Sequence, residues 1–214
     1  VFDCSTLVDI NVETEAGCKA SAESVIKAGL ETPVAPDDVC SPTGAPIPAK
    51  GERSDGKGLF TDDYPRGTTV ITWTFEDALG NKTVCTQNVI VSDSTAPVFD
   101  DCDKLPEVVI ELAADQCVAS KELVEANLGS HTAVDDCDGD IPGVPHVMLP
   151  NEKDYVPLYA EFKKDTTYKI VWVFTDGTGN ITECYQKMTI ADTTAPDPSG
   201  VCPPPTKTVT AHTV

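Results

Sequence analysis

Apolar residues occupy every second position in two long stretches of the chain, which centre on Trp73 and Trp172. This period of two is typical of a strand with one buried face, and it places both tryptophans in a core rather than on a sugar-binding surface. Each stretch leads into a turn, Asp77–Asn81 or Asp176–Asn180, and then into a second run of strand-like residues, which predicts a β-hairpin. A shorter alternating run predicts a strand near the start of each half. The first run comprises Val8, Ile10 and Val12, and the second comprises Val108, Ile110 and Leu112.

A short segment in each half departs from this pattern and predicts a helix. Ser21 is positioned to N-cap the first helix, and Gly29 to end it. Ser120 and Gly129 flank the corresponding segment of the second half. Helices of about two turns are not stable alone, so both should pack on the strands.

The chain contains an internal repeat of about 99 residues. The Asp-Ser/Thr-Thr-Ala-Pro sequence recurs at 93–97 and 192–196, and one extra residue between Thr167 and Trp172 predicts a β-bulge in the second copy. The repeat predicts one domain at 1–96, a second at 97–195 and the start of a third at 196–214. The cysteines fall into two matching sets and the beginning of another: Cys4, Cys18, Cys40 and Cys85; Cys102, Cys117, Cys137 and Cys184; Cys202.

Composition narrows the classes of function. The 214 residues include 15 Lys and Arg against 35 Asp and Glu, for a net charge of −20. Such a charge disfavours binding to nucleic acid or anionic lipid and favours cations as small partners. No apolar run is long enough for membrane insertion. Nine cysteines indicate an oxidising, extracellular environment, and the start of the chain, which lacks signal-peptide features, suggests a piece of a longer or processed protein.

The residues from Tyr64 to Asn81, followed by Cys85 and the linker 93–97, resemble the hyalin-repeat (HYR) family of immunoglobulin-like domains. The four-cysteine form is similar to tandem repeats of large bacterial surface adhesins and filament proteins. The resemblance implies an all-β fold: tandem immunoglobulin-like β-sandwiches, each with a short helical insert, arranged end to end. It also implies a non-enzymatic extracellular module, and the absence of recognisable nucleophile-elbow, zinc-protease and phosphate-loop motifs agrees with that.

Four cysteines per repeat allow three pairings. The immunoglobulin-like resemblance, in which the first strand lies beside the last, implies four disulfides: Cys4–Cys85, Cys18–Cys40, Cys102–Cys184 and Cys117–Cys137. Cys202 would be unpaired by truncation. Zinc is the competing interpretation, but no Cys-x-x-Cys pair exists and the three histidines do not recur between the repeats.

Two acidic clusters have the oxygen-rich composition that calcium requires. The first comprises Asp135, Asp136, Asp138 and Asp140; the second, at the junction between repeats, comprises Asp93, Asp100, Asp101 and Asp103. A solvated acidic loop is the alternative for both. No cofactor is required, and calcium is the one candidate ion.

Two kinds of glycosylation site are also present, although sequons occur by chance. Asn81 and Asn180 begin N-glycosylation sequons at the same point of each predicted hairpin, and Ser94 and Thr193 resemble bacterial O-glycosylation sites.

These observations favour a structural segment of a cell-surface adhesin or extracellular filament, acting as a disulfide-stapled spacer. Its partners would be neighbouring repeats, lateral copies in a filament, or a glycan or protein ligand. The alternative is a ligand-binding adhesion module, with calcium dependence, that uses the loops 135–146 and 51–63, which differ most between the repeats. An accessory domain of a secreted enzyme is a third interpretation.

Overall fold

The computed structural model describes residues 2–36, 46–113, 116–149 and 153–193. The chain divides into two compact units, Val1–Thr95 and Ala96–Val214. The predicted third repeat, 196–214, lies outside the described residues.

Unit 1 is a β-sandwich with one helix. Its main sheet has the strand order β1-β8-β7-β5, in which β1 is parallel to β8 and the other neighbours are antiparallel. The helix and the short ladders β2-β6 and β3-β4 contribute to the same core as the main sheet and so form the opposing layer. The elements are β1 (Ile10–Glu13), β2 (Lys19–Ala20), α1 (Ala22–Lys27), β3 (Val34–Ala35), β4 (Ile47–Pro48), β5 (Lys50–Arg53), β6 (Tyr64–Pro65), β7 (Gly67–Glu76) and β8 (Lys82–Ser92).

Unit 2 repeats this architecture with a longer main sheet. The order is β14-β13-β16-β17-β9, and β9 is parallel to β17. The ladders β10-β15 and β11-β12 and the helix supply residues to the core beneath it. The elements are β9 (Val108–Leu112), β10 (Val118–Ser120), α2 (Lys121–Leu128), β11 (Thr132–Asp135), β12 (Gly139–Pro142), β13 (Val144–Met148), β14 (Tyr155–Pro157), β15 (Glu161–Lys163), β16 (Thr166–Thr175) and β17 (Ile181–Asp192). The all-β, immunoglobulin-like fold with a helical insert is therefore confirmed for both units.

Both tryptophans are core residues, as predicted, and each is 1% exposed. The Trp73 indole N–H donates to Gln87 Oε1 at 3.0 Å, and Gln87 in turn donates to the Val8 carbonyl. Trp172 and Gln186 form the same pair in unit 2, at 2.8 Å. Because a buried indole N–H needs an acceptor, the glutamine lets tryptophan fill the core without an unsatisfied donor.

The predicted helices are present, and each begins at the expected serine. The Ser21 and Ser120 side chains accept hydrogen bonds from the backbone N–H groups three residues on.

Two local expectations were wrong. Val8 is 71% exposed and precedes β1, because its carbonyl rather than its side chain faces the core glutamine. The predicted β-bulge is absent, since β16 pairs with β17 residue for residue from Thr166 to Thr175.

Disulfides join the start of each unit to its last strand. Cys4 is bonded to Cys85, and Cys102 to Cys184, with Cα–Cα distances of 5.4 and 5.0 Å. Cys18, Cys117 and Cys137 are also disulfide-bonded. Cys40, the expected partner of Cys18, and Cys202 lie outside the described residues. In the loop-entropy model each long closure stabilises its unit by about 4.5 kcal/mol.

Candidate metal centre

Three aspartates of unit 2 bring their carboxylates together. Asp135 is the last residue of β11, Asp138 lies in the turn between β11 and β12, and Asp176 follows β16. One carboxylate oxygen from each lies within 4.8 Å of the others. We call these three residues the aspartate cluster.

Asp135 is held by the turn that it begins. Its Oδ1 accepts hydrogen bonds from the backbone N–H groups of Cys137 at 2.8 Å and Asp138 at 2.9 Å. The residue is only 4% exposed, and its Oδ2 is buried with no hydrogen-bond partner. One oxygen therefore shapes the turn, while the other retains its full capacity to accept.

Asp138 connects this turn to the β16–β17 turn. Its Oδ2 accepts a hydrogen bond of 2.8 Å from the Gly177 backbone N–H. A Cβ atom at position 177 would lie 3.1 Å from the same oxygen, closer than most side chains tolerate. Glycine at 177 therefore permits the close approach of the two turns.

Asp176 organises the β16–β17 turn and is 6% exposed. Burial acts to raise the pKa of its carboxyl, but hydrogen bonds from Asn180 and Thr178 outweigh burial and lower the pKa to about 2. Asp176 is thus ionised at neutral pH. Its counterpart in unit 1, Asp77, accepts the same kind of bond from Asn81, which likewise lowers the pKa of Asp77.

The cluster offers hard, anionic oxygen ligands. Cys137 lies in the same turn but is disulfide-bonded, so it supplies no thiolate to a soft metal. Neither Asp135 nor Asp176 forms a salt bridge with a lysine or arginine in the described part of the chain. This arrangement suits a cation that prefers carboxylates.

The aspartate cluster contains only part of the ligand set predicted from the sequence for this hairpin. Asp136 and Asp140 are exposed, and the cluster does not include them. The sequence pattern does not indicate Asp176 as a candidate ligand, although it shows the turn of Asp176 as a repeated feature. It lies far along the chain, and only the fold brings it to Asp138.

The residues predicted at the junction form further contacts within their own units. Asp93 is buried, and within unit 1 its Oδ1 accepts hydrogen bonds from Thr95 and its Oδ2 lies 3.5 Å from Arg66 Nη1. In unit 2, Asp100, Asp101 and Asp103 are exposed, and Asp101 pairs with Lys104 at 3.3 Å. Calcium binding at the junction stays a prediction.

The candidate glycosylation residues differ in what the structure shows of their surroundings. Ser94 and Thr193 are exposed. The Asn81 side-chain N–H donates to Asp77 at 2.8 Å, and that of Asn180 donates to Asp176 at 2.7 Å. Attachment of a glycan to either amide nitrogen would compete with its turn, and glycosylation stays a prediction.

Unit 1 contains a separate open pocket of about 500 Å³ beside the loop 51–63. Its lining includes Phe60 and Arg53. The Arg53 side chain is committed to structure, because it is buried, pairs with Asp55 at 2.6 Å and stacks on Tyr64 at 3.7 Å. These contacts hold Arg53 in place at the pocket wall.

Comparison with known proteins identifies no family. No family model matches, and no curated protein matches. The hyalin-repeat resemblance accordingly stays a hypothesis. No helix in the described part of the chain is long and apolar enough to cross a membrane.

Several solved structures of extracellular adhesion proteins are similar to this chain at a low level. A 1.5-MDa bacterial ice-binding adhesin is 16% identical, with a TM-score of 0.26, 59% of this chain covered and 42% of that chain. A Ca²⁺-stabilised adhesin with which an Antarctic bacterium binds ice is 17% identical, with a TM-score of 0.24 and coverages of 71% and 39%. The human desmocollin-1 ectodomain is 15% identical, with a TM-score of 0.27 and coverages of 93% and 38%. The chain thus spans about two fifths of each of these three structures.

Proposed function

We propose that this chain is a non-enzymatic segment of a large extracellular adhesin or filament protein, and that its repeated units serve as spacers that do not lengthen under tension. The observation that carries the proposal is the covalent bond between the entry of each unit and its last strand. Oxidised cysteines in this number fit an extracellular location.

The position of the disulfide sets the path of a pulling force through unit 1. A force on the chain ahead of Cys4 passes through the bond to Cys85 and then along β8 to Ser92. Residues 5–84 lie outside this path. Since β8 is already extended, little additional length is available while the bond is intact.

Unit 2 has the same arrangement. Cys102 precedes β9, and its partner Cys184 is the fourth residue of β17, which continues to Asp192. The bypassed segment again contains most of the unit. A series of such units would transmit force through disulfides and last strands, with neighbouring repeats of the same chain as the first partners.

Single-molecule pulling tests this proposal. The 81-residue separation of Cys4 and Cys85 corresponds to about 280 Å of extended chain at roughly 3.5 Å per residue. We expect a lengthening step of that size in the double variant Cys4→Ser, Cys85→Ser and no such step from unit 1 of the oxidised parent chain.

The matched control is the double variant Cys117→Ser, Cys137→Ser. This variant also removes two disulfide-bonded cysteines, but it leaves the Cys4–Cys85 and Cys102–Cys184 disulfides in place. It should lose stability without gaining the long step. A step of about 280 Å from unit 1 of the oxidised parent would contradict the spacer proposal.

The pocket of unit 1 favours one second candidate, a ligand-binding adhesion module. It lies at the loop that differs most from unit 2, and Phe60, 41% exposed, offers a face on which a sugar ring could stack. Glycan-array binding that is lost in Phe60→Ala, with Phe2→Ala as an aromatic control, would support this candidate; no binding by the parent chain would exclude glycans as its ligand.

A further inference from the structure

We propose that the aspartate cluster of unit 2 binds a calcium ion, which acts as a non-covalent link between the β11–β12 turn and the β16–β17 turn. The ligands are Asp135, Asp138 and Asp176. This inference does not depend on the spacer proposal.

The unpartnered oxygen of Asp135 is the observation that points to a ligand. Its Oδ2 is buried, accepts no hydrogen bond, and belongs to a residue that is 4% exposed. A buried carboxylate oxygen that has lost water without gaining a partner is costly. A cation within reach of the other two carboxylates would satisfy it.

The surrounding charges favour a cation. Asp176 is buried and its carboxylate lies close to those of Asp135 and Asp138, and neither Asp176 nor Asp135 forms a salt bridge with a basic side chain in the described residues. Anionic oxygens that lie within 4.8 Å of one another repel strongly when they are shielded from water. A divalent cation bound between these oxygens would attract each of them and so offset their mutual repulsion.

The donor set favours calcium over the other common ions. Zinc sites usually include cysteine or histidine, but the cysteine in this turn is oxidised. Magnesium demands a nearly ideal octahedron, whereas calcium accepts irregular sets of carboxylates completed by backbone carbonyls and water. Three carboxylates from two turns are such an irregular set.

The sequence predicts that the site differs between the units. The cysteine of the turn is followed by Asp138 in unit 2, whereas Cys40 in unit 1 is followed by Ser41. Residues 37–45 lie outside the described part of the chain, so this comparison rests on sequence alone. We therefore expect unit 2 to have the higher affinity for calcium.

Calorimetric titration with CaCl₂ is the first test, using the whole chain, Asp138→Asn and the control Asp140→Asn. Asp140 lies in the same hairpin but is exposed and outside the cluster. We expect Asp138→Asn to weaken binding on the order of tenfold or more and Asp140→Asn to bind as the parent does.

Thermal unfolding supplies a second readout, because the difference in melting temperature between the parent and Asp138→Asn should change sign when calcium is added. In EDTA, Asp138→Asn should melt at or above the temperature of the parent, because it removes one of three repelling charges. In CaCl₂ the parent should melt higher than Asp138→Asn. A variant that failed to fold would show itself in EDTA, and the test would then rest on the parent.

For the parent, amide resonances should move on addition of CaCl₂ at 135–139 and 176–180, and much less with equimolar MgCl₂. Absence of these shifts at millimolar calcium, or equal weakening of binding in Asp138→Asn and Asp140→Asn, would overturn the proposal. Neither result would alter the pulling experiment, which depends on the cysteines alone.

Discussion

The two units have the same framework but differ in the turns that surround it. Both have a first strand parallel to the last, a disulfide from entry to last strand, and a tryptophan paired with a glutamine. They differ at the β16–β17 turn, where Asp176 is buried beside two other carboxylates, while its equivalent Asp77 is more exposed. The comparison teaches that the two units share the disulfide from entry to last strand and the arrangement of the core, whereas their turns differ.

The largest expected effect is shared by both units. Cys4→Ser with Cys85→Ser should lower the free energy of unfolding of unit 1 by about 2–5 kcal/mol, because the unfolded chain regains the freedom of a long loop. Cys102→Ser with Cys184→Ser should do the same to unit 2. Guanidinium unfolding followed by tryptophan fluorescence measures both changes. A large loss of stability in one unit alone would show that the long disulfide does not stabilise the two units equally.

The second-largest effect should come from loss of the tryptophan–glutamine hydrogen bond. The loss of stability should again be equal in the two units. Gln87→Met and Gln186→Met each leave a buried indole N–H without an acceptor and a backbone carbonyl without a donor. We expect a loss of about 1–3 kcal/mol in each case. Indole N–H proton shifts in NMR spectra would verify that the hydrogen bond is lost. Unchanged stability in both variants would contradict its structural role.

The turn aspartates should distinguish the units. Asp176→Asn in EDTA should cost about 1–2 kcal/mol at neutral pH, the amount that a pKa near 2 implies relative to 3.8, reduced for partial solvation. Because the folded-state pKa is the lower one, this stabilisation is complete above about pH 4 and is lost as the pH falls toward 2. Melting temperatures of parent and variant should therefore converge in acid. Asp77→Asn should lower the free energy of unfolding by less. If it lowered that free energy as much as Asp176→Asn does, the two turn aspartates would not distinguish the units.

The smallest effects should come from the helix caps. Ser21→Ala and Ser120→Ala each remove an acceptor for a backbone N–H of the first helical turn. We expect about 1 kcal/mol from each, measured by chemical unfolding, with Ser21→Asp and Ser120→Asp retaining most of the stability. A loss in the aspartate variants as large as in the alanine variants would show that the cap is not the cause.

The local pattern of the sequence predicted the elements well. Alternation around Trp73 and Trp172 identified the long hairpins, because a strand with one buried face imposes that period. The serine caps were equally visible, since capping depends on residues only three apart.

The aspartate cluster could be predicted only in part. The sequence pointed to Asp135 and Asp138, which are close along the chain, but it added the exposed Asp136 and Asp140. It did not point to Asp176, because nothing local distinguishes an aspartate that only shapes a turn from one that also joins a cluster. The β-bulge and the burial of Val8 were wrong for a related reason, since strand pairing and the position of a backbone carbonyl depend on the fold.

The most direct test of the central claim is to pull the unmodified chain before and after addition of a reductant. The account predicts that the oxidised chain shows no long unfolding step from either unit, and that reduction makes one step of about 280 Å per unit appear. Long steps from the oxidised chain, or an unchanged trace after reduction, would contradict the claim that the disulfides carry the tension.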